Sequence, residues 1–368
     1  MFVGLGLMSA PIAADDIVQT AADGEANSRP PLLVLEPLQA FLDAHGLGSG
    51  EIRATPIGEG HSNVTYLIER GESKVVLRRP PRPPLPPSAH DVLREARLLR
   101  ALSDTQARVP AVLAVCDEEA TIGSPFYVME LVPGEVIVTA VPAALDNPEQ
   151  RRGIAEQLID ALVEIHAVDW QAVGLEGFGK PTGYLERQLR RFTGLWELNK
   201  TREIPAVENV GGWLAENIPE SGPATIVHGD FRVGNTLFAS AAPAHLEAVL
   251  DWEMATIGDP LADLGYLCMM WTEAGDPKEG LREALGSVTR AEGFPTRAEL
   301  IARYEERSGR SMNNIRWYTT LALWKSIVFM EGNYKRAIAG STDDPYLKGF
   351  GDGVHELAAR AEEVAYGS

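Results

Sequence analysis

Near residue 133 the chain changes texture, and that change constrains its fold more than any other feature. Before it, apolar residues come in short alternating runs broken by glycine and proline; after it they recur every three or four positions. The run "IRATPIGEGHSNVTYLIERGESKVVLRRP" reads as strand, glycine-rich turn, strand, turn, strand, with "RGES" short enough to close a hairpin. "AVLAVCDE" and "FYVMELV" read as two further strands, followed by the turn "PGE". Two helices are expected among them. "LEPLQAFLDAHGLG" ends in a glycine C-cap, and residues 89–102 carry the apolar stripe Leu93, Leu98, Leu99 and Leu102. "PPRPPLPPSA", between strand and helix, can only be an extended loop.

Beyond residue 133, "NPEQRRGIAEQLIDALVEIHAV", "GYLERQLRRFTGLWELNK", "LADLGYLCMMWTE" and "NNIRWYTTLALWKSIVFMEGNYKRAIA" read as helices. Short strands are expected only around "TIVH", "TLFA" and "EAVLDWE". The chain has 368 residues, more than one ordinary core holds. An α+β chain is therefore expected, with a β-rich lobe at 31–132, a helical lobe at 133–368 and a disordered leader at 1–30. The leader's "MFVGLGLMSAPIAAD" is apolar but lacks the cationic start of a signal peptide and is too short to span a bilayer.

Lys and Arg number 33 against 52 Asp and Glu, a net charge of −19. Such a surface repels nucleic acid and anionic membranes, so neither is expected as a partner. Cys116 and Cys268 are the only cysteines and form no CxxC pair, which points to a reducing, cytoplasmic setting and away from zinc.

The octapeptide "HGDFRVGN", His228 to Asn235, holds an Asp and an Asn five residues apart, and Asp251 follows the apolar run "EAVL". Asp and Asn in a loop are usually turn formers, and alone they read so here. Their companions change the reading. Magnesium prefers oxygen ligands and takes only one or two from a protein, which suits the Asn235 amide and the Asp251 carboxylate. Asp230 is then left to accept a proton from a hydroxyl. Kinase catalytic loops place an Asp, an Asn five residues later and a metal-binding Asp after the next hairpin. The same pattern asks for a glycine-rich loop, a strand cation, a helical Glu and a hinge. Gly58 and Gly60 in "IGEGHSN", Arg78 in "VVLR", Glu95 in "LREARLL" and "VMELVPGE" supply them in order.

On these residues the chain resembles the aminoglycoside phosphotransferase family, related to the choline kinases, in which "HGDxxxxN" and "DWE" replace the protein-kinase "HRDxxxxN" and "DFG". The run "VLDWEMATIGDPLADLGY" and the "RRPP" after the third strand resemble one subgroup. It includes kinase-like domains fused to acyl-CoA dehydrogenases in animals and free-standing bacterial relatives. The resemblance covers about residues 35–340. It implies a protein-kinase-like two-lobed fold with ATP between an antiparallel β lobe and a helical lobe. It further implies in-line transfer of the γ-phosphoryl group to a hydroxyl-bearing small molecule, with ATP and Mg2+ as cofactors. Gly58, Gly60 and the backbone around Ser62 would cover the phosphates, and Arg78, held by Glu95, would neutralise them. Adenine would bond the hinge backbone from Glu130 to Val132. Asn235 and Asp251 would hold magnesium, and Asp230 would orient the acceptor hydroxyl.

A hydroxyacyl compound is the expected acceptor. An aminoglycoside is one alternative; a nucleotide-binding pseudokinase, kept open by Arg78 where Lys is usual, is another. The absence of an "APE" segment and the helical insertion at 180–220 argue against a protein substrate. The helix carrying Tyr184, Arg187 and Arg191 and the helix carrying Trp317 and Lys325 are expected to line the acceptor site and favour an anion, unless Glu186 and Glu197 pair with the arginines. His166, His228, Asp259 and Asp263 read as structural. Strand alternation sets Val76 and Arg78 on one face and Val75, Leu77 and Arg79 on the other. Arg78→Ala is thus expected to impair ATP use and Arg79→Ala to do little.

Overall fold

The computed structural model describes residues 16–25, 27–58, 63–85, 90–278, 287–340 and 345–367. Two compact units emerge: the chain up to Gly134 together with Glu247–Glu253, and Glu135–Leu246 together with the chain from Met254 onward.

The first unit contains β1 (Ile17–Val18), α1 (Ala21–Gly24), β2 (Leu33–Val34), α2 (Leu35–Ala44), β3 (Arg53–Pro56), β4 (Val64–Arg70), β5 (Ser73–Arg79), α3 (Val92–Leu102), β6 (Val112–Cys116), α4 (Glu119–Ile122) and β7 (Phe126–Glu130). Five strands form one antiparallel sheet in the order β3-β4-β5-β7-β6. Its alternation sorts side chains between two surfaces. Tyr66, Ile68, Val75, Leu77, Phe126 and Val128 turn to one side and close a core with Leu38 and Leu42 of α2. On the opposite side α3 packs across β6 and β7. Asp91 caps α3, its carboxylate accepting the Arg94 amide at 2.9 Å. The helix accordingly starts at Val92, three residues later than the sequence reading placed it, and His90 just before it has φ +60°.

Residues 16–30 depart from the expected disordered leader. β1 pairs in parallel with β2, Ile17 opposite Leu33. Thr20 and Asp23 form a capping box on α1, and Asp16 is buried against Arg82. Short polar runs hid this, because it depends on partners 16 to 66 positions away. Residues 1–15 lie outside the described residues.

The second unit contains β8 (Glu135–Val136), α5 (Pro148–Ala167), α6 (Tyr184–Asn199), α7 (Pro205–Glu216), β9 (Thr225–Val227), β10 (Thr236–Phe238), the start of β11 (Leu246–Val249), β12 (Thr256–Gly258), α8 (Leu261–Met270), α9 (Arg297–Ser308), α10 (Ile315–Ile338) and α11 (Pro345–Tyr366). α10 is its axis: α6, α7, α8 and α11 all pack on it. It therefore buries residues around most of its circumference, among them Trp317, Leu321, Trp324, Ile327 and Glu331. Glu331 is tolerated there because Thr201 and Arg202 satisfy its carboxylate, the Thr201 hydroxyl at 2.6 Å. β9 pairs antiparallel with β12, Val227 opposite Thr256, and so fixes the chain on either side of the His228–Asn235 segment. β12 was not legible in "ATIGDP", which is too short to show a period.

Candidate active site

In the second unit, the loop from His228 to Asn235 leaves β9 through Gly229, whose φ is +88°. A Cβ there would come within 2.9 Å of the Met254 carbonyl oxygen, so both the conformation and the space require glycine. Asp263, on the first turn of α8, holds this bend. Its two carboxylate oxygens accept the His228 amide at 2.7 Å and the Gly229 amide at 2.8 Å. Burial opposes the Asp263 charge, but His166, His228 and the Gly229 amide outweigh it, leaving this carboxyl below its usual range. Burial pulls the His166 pKa below its ordinary value although Asp263 opposes this; the ring sits between Asp263 at 3.2 Å and the Tyr304 hydroxyl at 2.7 Å. His228 Nδ1 accepts the Asp230 amide at 3.2 Å. Asp259, just before α8, accepts the Tyr318 hydroxyl and the Leu261 amide.

Asp230 and Asn235 are brought together. The Asn235 amide nitrogen donates to the Asp230 carbonyl at 2.8 Å and to its Oδ2 at 2.9 Å. Asp230 Oδ1 is buried without a hydrogen bond. Arg232 Nε forms an ion pair with that oxygen at 3.7 Å and likewise makes no hydrogen bond. The sequence reading passed over Arg232. A Cβ at its neighbour Gly234 would meet the end of the Arg232 side chain, so the guanidinium lies directly over that glycine.

In the first unit, Arg78, Glu95 and Asp251 are brought together. Arg78 Nε donates to Glu95 at 2.9 Å and one Nη donates to Asp251 at 2.5 Å. Thr65, directly across the β4–β5 ladder from Arg78, lies 3.4 Å from its other Nη. Burial works against the Arg78 charge, but Glu95 and Asp251 hold its pKa above the ordinary arginine value. Glu95 also accepts the Trp252 amide at 3.2 Å. This bond pins the segment just after Asp251, which sits at φ +64°, unusual for a residue with a side chain. Asn63, buried at the start of β4, reaches Glu253 at 3.2 Å.

Gly58 follows β3 with φ +80°; Gly60 and Ser62 lie outside the described residues. Glu130 ends β7, and its amide and carboxylate are both engaged by Ala111. Val132 follows, half-buried and outside the sheet. Among the described residues no three His, Cys, Asp or Glu side chains cluster as metal ligands. In the second unit Asn235 turns its nitrogen to Asp230 and so keeps its amide oxygen unengaged; in the first, Asp251 keeps one carboxylate oxygen beyond the Arg78 pair, and oxygen donors of these kinds suit a hard cation such as magnesium.

Arg187 is pinned by its own loop, donating to the Thr182 and Lys180 carbonyls, and is not available to a ligand. Neither Arg187 nor Arg191 pairs with Glu186 or Glu197 among the described residues; Glu197 pairs with Lys200 at 3.2 Å.

The phosphotransferase enzyme family model (APH) matches residues 53–300. Acyl-CoA dehydrogenase family member 10 of Mus musculus is 34% identical over 331 residues, covering 89% of this chain and 30% of that protein. Acyl-CoA dehydrogenase family member 11 of Homo sapiens is 31% identical over 331 residues, covering 87% and 42%. The chain thus spans less than half the length of these relatives. A structure from Ralstonia eutropha assigned as an aminoglycoside phosphotransferase superposes with TM-score 0.76 at 30% identity, covering 90% of this chain and 98% of the other. Aminoglycoside phosphotransferase APH(4)-Ia, solved with AMP-PNP and hygromycin B, gives TM-score 0.59 at 16% identity, covering 90% and 100%. The microcompartment-associated aminopropanol kinase gives 0.58 at 17%, covering 89% and 96%. The fold is the protein-kinase-like α+β fold of these structures, as the sequence resemblance implied. No helix among the described residues is long and apolar enough to cross a membrane.

Proposed function

The chain belongs to the phosphotransferase enzyme family (APH), and from that premise we propose that it is a small-molecule kinase transferring the ATP γ-phosphoryl group to an acceptor hydroxyl. The observation that carries this reading is the built loop around Asp230. Asp263 fixes the backbone on one side, Asn235 fixes the carboxylate on the other, and one Asp230 oxygen, with Arg232 at ion-pair distance, accepts no hydrogen bond from the protein. A carboxylate so held suits the task of orienting a hydroxyl and taking its proton late in the transfer. Arg78, kept charged by Glu95 and Asp251, would bind the nucleotide phosphates. Gly58, Gly60 and the backbone around Ser62 would cover them. The hinge backbone from Glu130 to Val132 would take adenine. Asn235 and Asp251 would each give one oxygen to magnesium, which when bound offsets negative charge on the phosphate oxygens.

The acceptor is proposed to be a hydroxyacyl compound. The named relatives are acyl-CoA dehydrogenase family members, which supports an acyl-bearing acceptor over an aminoglycoside. A second reading, nucleotide binding without transfer, is favoured by one observation: the ion pair with Arg78 leaves Asp251 only one carboxylate oxygen for a metal. The test is an ATP-consumption screen over hydroxyacyl compounds and aminoglycosides, with Asp230→Ala as control. Turnover of a hydroxyacyl compound that Asp230→Ala loses by about 10²–10⁴-fold supports the proposal. Full turnover by Asp230→Ala removes its assigned role, and nucleotide binding with no turnover of either class favours the second reading.

A further inference from the structure

Among the described residues three arginines are buried: Arg70, Arg79 and Arg232. Two of them spend their donors on the fold. Arg70 donates to the Gly50 and Leu47 carbonyls and to Asp43, and Arg79 to the carbonyls of Leu32, Ile122 and Pro80. Arg232 is only 5% exposed, yet its guanidinium donates no hydrogen bond to any described residue. Its one charge partner is Asp230. Nε lies 3.7 Å from Oδ1, beyond hydrogen-bond length, and Oδ1 accepts no hydrogen bond either. The guanidinium lies over Gly234, whose missing side chain leaves it room on the loop. Taking an arginine out of water is costly, and an ion pair without hydrogen bonds recovers only part of that cost. A guanidinium that served the fold alone would be bonded as those of Arg70 and Arg79 are.

What arrives beside Asp230 says what the idle donors are for. Asp230 is read as taking the proton of the acceptor hydroxyl. The phosphorus that the same oxygen attacks must then come within about 3–3.5 Å of that oxygen. The group in transit spreads negative charge over its equatorial oxygens, and the Asp230 carboxylate repels it. Asn235, the other side chain bonded to Asp230, is neutral and cannot offset this. Arg232 is charged, sits on the same loop, and has a planar fork that matches a phosphoryl group.

We propose that Arg232 is a further catalytic residue, which binds the transferring phosphoryl group through its unused N–H donors and offsets the repulsion from Asp230. The inference rests on the phosphotransferase reading and adds to it the residue that meets the group in transit. The acceptor oxygen bonds to the γ-phosphorus as the bond from that phosphorus to the β–γ bridging oxygen breaks. ADP leaves with the electron pair, and the hydroxyl proton goes to Asp230. Arg232 gains and loses no proton; it stabilises the charge on the phosphoryl oxygens between the bond that forms and the bond that breaks.

The test reads binding, so it needs no acceptor. Thermal melts of the full chain are run with Mg-ADP and with Mg-ADP plus aluminium fluoride, which stands in for the planar phosphoryl group. In the wild type, aluminium fluoride should add to the rise in melting temperature given by Mg-ADP. Arg232→Met should keep the Mg-ADP rise and lose most of the added one. Arg232→Lys, which keeps the charge but not the fork, should retain part of it. A merely structural Arg232 would instead lower the melting temperature without ligand and leave the added rise as in the wild type. That result overturns the proposal, and so does a wild type to which aluminium fluoride adds nothing. If Arg232→Met does not fold, an undiminished added rise in Arg232→Lys overturns it equally. Absence of any Mg-ADP rise in the wild type fails the kinase reading itself and takes this proposal with it. With an acceptor from the activity screen, Arg232→Met should lower kcat by about 10²–10³-fold with little change in KM for ATP; an unchanged kcat overturns the assignment.

Discussion

Arg78 and Arg79 are neighbours on β5, and the pleat sends them to opposite faces. Arg78 meets Glu95 and Asp251, whereas Arg79 runs into the core side and donates to the carbonyls of Leu32, Ile122 and Pro80. No carboxylate pairs with Arg79 among the described residues, and burial lowers its pKa to about 10. Arg78→Ala should therefore raise KM for ATP and lower turnover, with Arg78→Lys retaining part of the activity. Arg79→Ala should leave KM for ATP near the wild-type value but destabilise the fold by roughly 1–3 kcal/mol, because buried carbonyls lose their donor. An ATP titration and a urea melt on both variants check this; damage to KM by Arg79→Ala would reverse the assignment. The sequence reading foresaw the faces but not the stability cost, since alternation reveals direction and not depth. Asp263 allows a second expectation. Asp263→Asn keeps an acceptor but exchanges the other oxygen for a donor facing an amide. It should lower kcat by about 10–100-fold with little change in KM for ATP, the result of a loop misaligned by 1–3 kcal/mol. An unchanged kcat would mean the clamp is dispensable.

Elements were legible in proportion to how much of their pattern is local. β4 and β5 showed themselves through alternation, and α5, α6 and α10 through helical recurrence. The α3 stripe was visible, but its start was not, because the Asp91 cap is a matter of side-chain geometry. α7 falls within the helical stretch expected at 180–220, its proline suited to the first turn; α11 is interrupted by glycines and is helical where α10 packs against it, which no window of sequence displays. Of the candidate site, the spacing of Asp230, Asn235 and Asp251 could be read directly. Thr65 and Asn63 could not, because they reach the site through strand register and loop closure. α3 offers a test at this scale. Asp91→Ala removes the only side-chain cap seen on that helix and should cost about 1 kcal/mol in a thermal or urea melt. Because α3 carries Glu95, the same variant should also raise KM for ATP modestly, while Arg94→Gln, on the same turn, should not. A melt indistinguishable from wild type would show that packing alone fixes the start of α3.

At the scale of the whole molecule, the proposed site residues belong to different units: the metal ligand Asp251 folds with the β-rich unit, whereas Asp230 and the metal ligand Asn235 fold with the helical one. This separation predicts how nucleotide binding should couple to stability. A ligand that binds only the native state stabilises it by about 2.7 kcal/mol at a hundred times its Kd, whatever follows chemically. Asp230 is proposed to act on the acceptor hydroxyl and not on the metal or the nucleotide. Mg-ATP should therefore raise the melting temperature of Asp230→Ala about as much as that of wild type, although the variant does not turn over. Asp251 is proposed both to hold magnesium and to keep Arg78 charged and in place. Asp251→Ala should lose most of the Mg-ATP shift, and Asp251→Asn, which keeps an oxygen but not the charge, should lose less. Asn235→Ala removes the other metal oxygen and also frees Asp230, so it should reduce both the shift and turnover. Thermal melts of these variants with ATP alone and with Mg-ATP separate the contributions, since ATP alone reports the nucleotide contacts without the metal. A full Mg-ATP shift in Asp251→Ala would remove Asp251 from the proposed metal site, and loss of the shift in Asp230→Ala would place Asp230 on the nucleotide and not on the acceptor.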